Sequence, residues 1–165
     1  GFRVIATARR LETLGDLEHR GARVLSLDVT SSAPDLATFA EKAIAVYGQV
    51  DYLVNNAGFA QSGAIEEVSP EEALAQFNTN VLDLVSTTNV FLPHFRSRRT
   101  GTLVNFSSEA TCTAIPGIGI HTATKAAVEA ISDTWAHELA EYGIRLISIQ
   151  VDSLSSSAPV FHSDA

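Results

Sequence analysis

Short apolar, β-branched runs alternate with segments of helical period along nearly the whole chain. Residues 2–8 (Phe-Arg-Val-Ile-Ala-Thr-Ala) read as a buried parallel strand, stopped by Arg9 and Arg10. Residues 11–20 form a polar helical stretch with leucines at 11, 14 and 17, closed by Gly21. A second strand is predicted over 23–27, ending at Asp28. Over 35–47 the spacing of Leu36, Phe39, Ala40, Ala43 and Ile44 puts them on one side of a helix that Gly48 ends. Residues 50–54 are a third strand, running straight into Asn55-Asn56-Ala57-Gly58. Ser69 and Pro70 suit the cap and first position of a helix, with Glu71 and Glu72 near its positive end. That helix is expected to continue, with a break near Thr79, to about Phe91 and Leu92, just ahead of Pro93. A fourth strand spans 102–106, a helix carrying Lys125 runs to about Glu141 with Gly143 as its cap, and Ile144 to Val151 is a fifth strand. Strands alternating with helices predict an α/β fold with a doubly wound parallel sheet.

Composition narrows the class without changing that picture. A chain of 165 residues is one domain at most, large enough for a respectable core. It is 45% hydrophobic and 18% charged, as in ordinary globular proteins, and its net charge of −8 argues against nucleic acid or an anionic membrane as partner. No apolar run is long enough for a membrane span, and no signal peptide is visible. The single cysteine, Cys112, points to a reducing compartment, hence a cytoplasmic location. The five histidines and one cysteine show no metal-ligand spacing, so no metal is expected. The chain has no methionine and begins in a strand-like run; it is expected to be a fragment, a processed product or an incomplete gene model.

The chemistry concentrates between Ser107 and Lys125. A strand delivers paired serines, a loop with Pro116, Gly117 and Gly119 follows, and a helix rich in alanine presents His121 and Lys125 four residues apart, on one face. Hydroxyls at a strand end facing a lysine on a nearby helix make a site for polarising a carbonyl. This segment resembles the active-site region of the short-chain dehydrogenase/reductase family, which places a serine thirteen residues before a Tyr-x-x-x-Lys motif. Ser108 and Lys125 match; the tyrosine position holds His121. The resemblance covers nearly all of residues 1–150.

Other positions join it, each with a plainer reading beside it. Asn55-Asn56-Ala57-Gly58 matches the family's Asn-Asn-Ala-Gly motif, and the resemblance implies that Asn56, Ala57 and Gly58 lie against the cofactor; alone it is equally an ordinary turn after a strand. Asp28 would accept from the adenine amino group, or is a helix cap or loop aspartate. Arg9 follows the position, here Ala8, where NAD-preferring relatives carry an acidic residue. It would pair with a 2′-phosphate, favouring NADP over NAD, or is a surface arginine. Asn80 matches the asparagine that holds a relay water, or is bonded to a nearby backbone carbonyl. By the same resemblance Ser108 would bond the substrate oxygen, and Lys125 would bind nicotinamide-ribose hydroxyls and lower the pKa of the acid/base beside it. Ser107 could exchange roles with Ser108 if the register differs.

Histidine suits acid/base work near neutrality, but its nitrogens lie closer to the backbone than a tyrosine oxygen, and the Lys125 cation disfavours its protonated form. Two further departures separate the chain from the family pattern. The first strand and the Thr-Gly-x-x-x-Gly-x-Gly turn that seats the pyrophosphate are missing, leaving strands 2–8 and 23–27 to pair with each other and the later three to form a second set. After Gln150 the expected Pro-Gly and substrate segment are replaced by 151–165, a divergent tail expected to be disordered.

The fold expected is thus a partial Rossmann-like doubly wound sheet over 1–150. The function implied by the resemblance is NADP-dependent hydride transfer between a carbonyl and a secondary alcohol, with a small-molecule substrate and activity impaired in the chain as given. The alternative is an inactive truncated relative acting as a binding or partner subunit. The resemblance places homo- or hetero-oligomer contacts on the helices around Asn80 and after Lys125; small residues such as Ala123, Ala126, Ala127 and Ala130 would suit close packing there, or against the chain's own sheet.

Overall fold

The computed structural model describes residues 1–151, and they fall into two compact units, Gly1–Val50 and the part from Asp51 onward. The tail expected over 151–165 lies outside the described residues, except for Val151, which ends a strand.

In the first unit, strand β1 (Ile5–Ala8) leads through a 3₁₀ turn (Leu11–Leu14) into a short helix α1 (Gly15–His19), then strand β2 (Arg23–Ser26) and helix α2 (Ala33–Tyr47). β1 and β2 pair in parallel, Ile5 with Arg23 through Ala8 with Ser26. The expected burial of the first run is corrected. Phe2 and Val4 are 83% and 49% exposed, and no residue of β1 is fully buried, because the strand has a hydrogen-bonded neighbour on one side only. Helix α2 starts as its sequence dictates. Ser32 Oγ accepts from the Asp35 amide at 3.4 Å, a proline occupies the first turn, and Gly48 (φ 79°) ends the helix in the left-handed region.

The second unit is built on strands β3 (Tyr52–Asn55), β4 (Gly101–Ser108) and β5 (Ile144–Val151), all parallel, in the order β3-β4-β5. The two separate strand sets are those the sequence implied. Helix α3 (Pro70–Phe77) carries a full capping box: the Glu72 amide donates to Ser69 Oγ at 3.2 Å, and the Ser69 amide donates to Glu72 Oε2 at 2.9 Å. The break expected near Thr79 is a π-helical segment, Asn78–Leu82, continued by helix α4 (Asp83–Arg98).

Pro93 does not stop this helix, contrary to expectation. It lies on the exposed face, one turn after exposed Asn89, whose carbonyl loses its helical partner where water can replace it. Phe95, fully buried one turn beyond Phe91, rewards continuation. Helix α5 (Gly119–Glu138) gives way to a 3₁₀ turn, Ala140–Tyr142, and to Gly143 at φ 68°.

The core of this unit gathers Phe91, Phe95, Leu103, Val128, Trp135, Leu139 and Ile144. Threaded through it is a polar ladder. Asn55 Nδ2 donates to Thr88 Oγ1 (2.9 Å) and to Asn105 Oδ1 (2.8 Å), and Asn105 Nδ2 donates to Ser132 Oγ (2.8 Å). Each of the four residues is buried, so α4, β3, β4 and α5 are tied together at one level.

Candidate functional site

Strand β4 delivers the two serines with opposite fates, as the alternation of a strand requires. Ser107 is buried and its hydroxyl donates to Glu129 Oε1 at 2.6 Å. The same carboxylate oxygen accepts from Thr111 Oγ1 (3.1 Å) and Gln150 Nε2 (2.9 Å). Partial burial pushes the Glu129 carboxyl up, but the bonds from Gln150, Ser107 and Thr111 outweigh it and hold it below the usual range. Ser108 is half-buried; its oxygen accepts from the Ala110 amide at 3.2 Å, which leaves its O–H to donate elsewhere. Ser107 is thus engaged within the fold, and Ser108 retains a donor.

Lys125, in the second turn of α5, donates to the Phe106 carbonyl of β4 at 2.7 Å, two residues before Ser108. Its burial pulls the ammonium below its ordinary pKa. One of its three N–H donors is used in that bond. His121 sits one turn earlier on the same helix, half-buried, with Nδ1 shielded and without a hydrogen-bond partner. Burial first, then the Lys125 cation, hold the imidazole below its ordinary pKa; the Phe59 backbone acts weakly the other way.

Asn80 is all but inaccessible within the π segment, and its side chain clamps the loop after β3. Its Oδ1 accepts from the Phe59 amide (3.0 Å), and its Nδ2 donates to the Phe59 carbonyl (2.9 Å) and to Thr124 Oγ1 (3.0 Å). Thr124 Oγ1 donates in turn to the His121 carbonyl at 2.7 Å. Gly58 has to be glycine here: a Cβ would come within 2.9 Å of Asn80 Oδ1 and 4.0 Å of Lys125 Nζ. So the structure brings Gly58, Asn80, His121 and Lys125 into one cluster. Asn56 and Ala57 are exposed beside it in sequence.

Two participants were not singled out from the sequence. Gln76 is wholly buried and its Nε2 donates to the Phe59 carbonyl at 2.9 Å. The signal available was its spacing, four residues before Asn80, which places both on one helix face. Glu129 is the other; its place four residues after Lys125 carries the same kind of hint.

Arg9 and Asp28 belong to the first unit. Arg9 is exposed directly after β1, its carbonyl accepting from Ser26 Oγ at 3.5 Å. Asp28 Oδ1 accepts from the Thr30 hydroxyl (2.8 Å) and amide (3.0 Å), and these bonds, with a smaller contribution from Arg9, keep its carboxyl below the usual range against a slight opposing effect of burial. Through Oδ1 it closes an Asx-type turn. Among the described residues no cluster of three or more His, Cys, Asp or Glu could hold a metal ion, and no helix is long and apolar enough to cross a membrane.

A serine with a free donor, a half-buried lysine fixed to the same strand, and a glycine turn packed on Asn80 near that lysine belong to a known class. The short chain dehydrogenase family model matches residues 1–158, and the chain belongs to that family. Its fold is a Rossmann-like α/β fragment. It is 34% identical over 164 residues to the uncharacterized oxidoreductase YusZ of Bacillus subtilis, covering 94% of this chain and 58% of that protein. A short-chain dehydrogenase from Streptomyces avermitilis superposes with a TM-score of 0.84 at 39% identity, over 91% of this chain and 56% of that one. ElxO in an NADP-bound structure gives 0.84 at 26% identity, over 92% and 63%. The chain thus spans between half and two thirds of the length of these three relatives.

Proposed function

We propose that the chain carries out NADP-dependent hydride transfer between a carbonyl and a secondary alcohol. The observation that carries this reading is the joining of His121 and Lys125, one turn apart on α5, to the strand end that bears Ser108, through the bond from Lys125 Nζ to the Phe106 carbonyl at 2.7 Å.

The donors fit a nicotinamide dinucleotide. Lys125 keeps N–H donors beyond the one given to Phe106, suited to ribose hydroxyls. Gly58 leaves bare backbone where a Cβ would collide with Asn80, suited to close approach of a ribose, with Asn56 and Ala57 beside it. In the first unit, Arg9 is assigned to the 2′-phosphate and Asp28 to the adenine amino group, and Arg9 is the reason for preferring NADP to NAD. The NADP in the ElxO structure supports the same choice. Bound nicotinamide supplies the hydride.

Within the site, Ser108 donates its O–H to the substrate oxygen and orients it. Burial first, and then the Lys125 ammonium, hold the imidazole below its ordinary pKa and so favour its neutral form. The neutral ring is then ready to take a proton from an alcohol, whereas proton donation to a carbonyl oxygen requires the imidazolium, which is scarce at that pH. Asn80, its side chain held by the Phe59 peptide and Thr124, is assigned by the family resemblance to the proton relay.

The test is NADPH oxidation with a panel of small ketones and aldehydes, comparing the natural chain with His121→Tyr. Restoring the longer-reaching phenol is expected to raise reduction about 10²-fold, within the range of general acid catalysis. No ketone-dependent oxidation in either protein would overturn the reading.

A further inference from the structure

The most heavily buried polar group beside the site is one to which no role has been given. Gln76 is 0% exposed on α3, and its Oε1 has no hydrogen-bond partner. A buried amide half used is costly, and the half that is used points to its task. Gln76 Nε2 donates to the Phe59 carbonyl at 2.9 Å, the same oxygen that accepts from Asn80 Nδ2 at 2.9 Å. From Asn80 Nδ2 the bonding continues to Thr124 Oγ1 (3.0 Å) and from there to the His121 carbonyl (2.7 Å). Gln76, Asn80 and Thr124 are each no more than 1% exposed. An unbroken series of bonds, with Gln76, Asn80 and Thr124 buried along it, therefore runs from α3 through the Phe59 carbonyl to the backbone of His121.

We propose that Gln76 is a positioning residue for His121: by bonding the Phe59 carbonyl it fixes the turn that Asn80 grips, and so fixes the Thr124–His121 turn of α5 from which the imidazole projects. This rests on the reading of His121 as the acid/base. Two donors converge on the Phe59 carbonyl; without Gln76 that carbonyl relies on Asn80 alone, and Asn80 must also hold Thr124. The turn loosens, the first turns of α5 lose their reference, and water reaches the ring. Burial is the largest cause of the lowered His121 pKa, Lys125 adds to it, and the Phe59 backbone opposes it as the last and smallest cause, so hydration of the ring moves the titration back toward the ordinary value.

The experiment reads the His121 ring Cε1–H resonance by NMR against pH in the full 165-residue chain, with His121→Gln used for assignment. Gln76→Leu keeps the volume and removes the donor. Its His121 midpoint is expected to rise by about half a pH unit or more. Thr88→Val serves as the control: it breaks the buried ladder at Asn55, lowers the melting temperature, and leaves the His121 midpoint in place. Gln76→Met, which also removes the donor and adds no charge, is read in parallel and decides the matter should the leucine variant fail to fold; its midpoint is also expected to rise. A Gln76 variant that melts lower while His121 titrates as in the natural chain would overturn the proposal and leave Gln76 a packing residue. Because the readout needs no turnover, it stands apart from the hydride-transfer reading, which the NADPH assay tests separately.

Discussion

His121 sets the chemistry at the scale of single residues, and its protonation is visible in stability as well as in rate. Burial, then Lys125, keep the folded imidazole below its ordinary pKa. As pH falls through about 6.5, the unfolded chain takes up a proton that the folded chain still refuses. Stability attributable to this group is therefore constant at higher pH and declines as pH drops from about 6.5 toward the folded-state value. Urea unfolding at a series of pH values should show that decline flattened in His121→Gln; parallel curves for the two proteins would remove the basis for a suppressed imidazolium. Lys125 has its own pKa lowered by burial and remains a cation over this window, so the slope belongs to the histidine.

At the scale of elements, the α5–β5 turn shows what a single backbone position can decide. Gly143 adopts φ 68°, and a Cβ there would come within 2.5 Å of the Arg99 carbonyl. Gly48, at φ 79°, faces open space. Gly48→Ala should therefore lose about 1 kcal/mol from conformation alone, and Gly143→Ala more, about 2–4 kcal/mol, because contact adds to strain. Denaturant unfolding of the two variants checks this; equal losses would mean the Arg99 contact yields freely.

Those two glycines, the Ser69–Pro70 cap and the break near Thr79 were legible in the sequence because their causes are local, lying within four residues of the effect. The continuation of α4 through Pro93 was not, since it depends on which face of the helix meets water. Nor were the bonds from Gln76 to Phe59 and from Ser107 to Glu129, which join residues 17 and 22 apart and leave no local trace. For Asn80 both readings stood in the sequence, and the geometry supplies the structural one in full: its amide grips the Phe59 peptide on both sides.

For the molecule as a whole, the strand alternation pointed to an α/β class, and the family resemblance to the pairing of strands into two sets, β1-β2 and β3-β4-β5. The division into two units cuts the implied cofactor residues into two groups, Arg9 and Asp28 in one, Asn56, Ala57, Gly58 and Lys125 in the other. Binding of NADP is the central claim, and cofactor-dependent stability tests it most directly. The measurement is a thermal melt of the 165-residue chain alone, with NADPH and with NADH. At about 100 times its dissociation constant a native-state ligand stabilises by about 2.7 kcal/mol, which for a chain of this size raises the midpoint by roughly 5–10 °C. The account predicts one cooperative transition that NADPH raises by this order, and NADH by clearly less. A midpoint indifferent to NADPH at millimolar concentration, or raised equally by NADH, would contradict it.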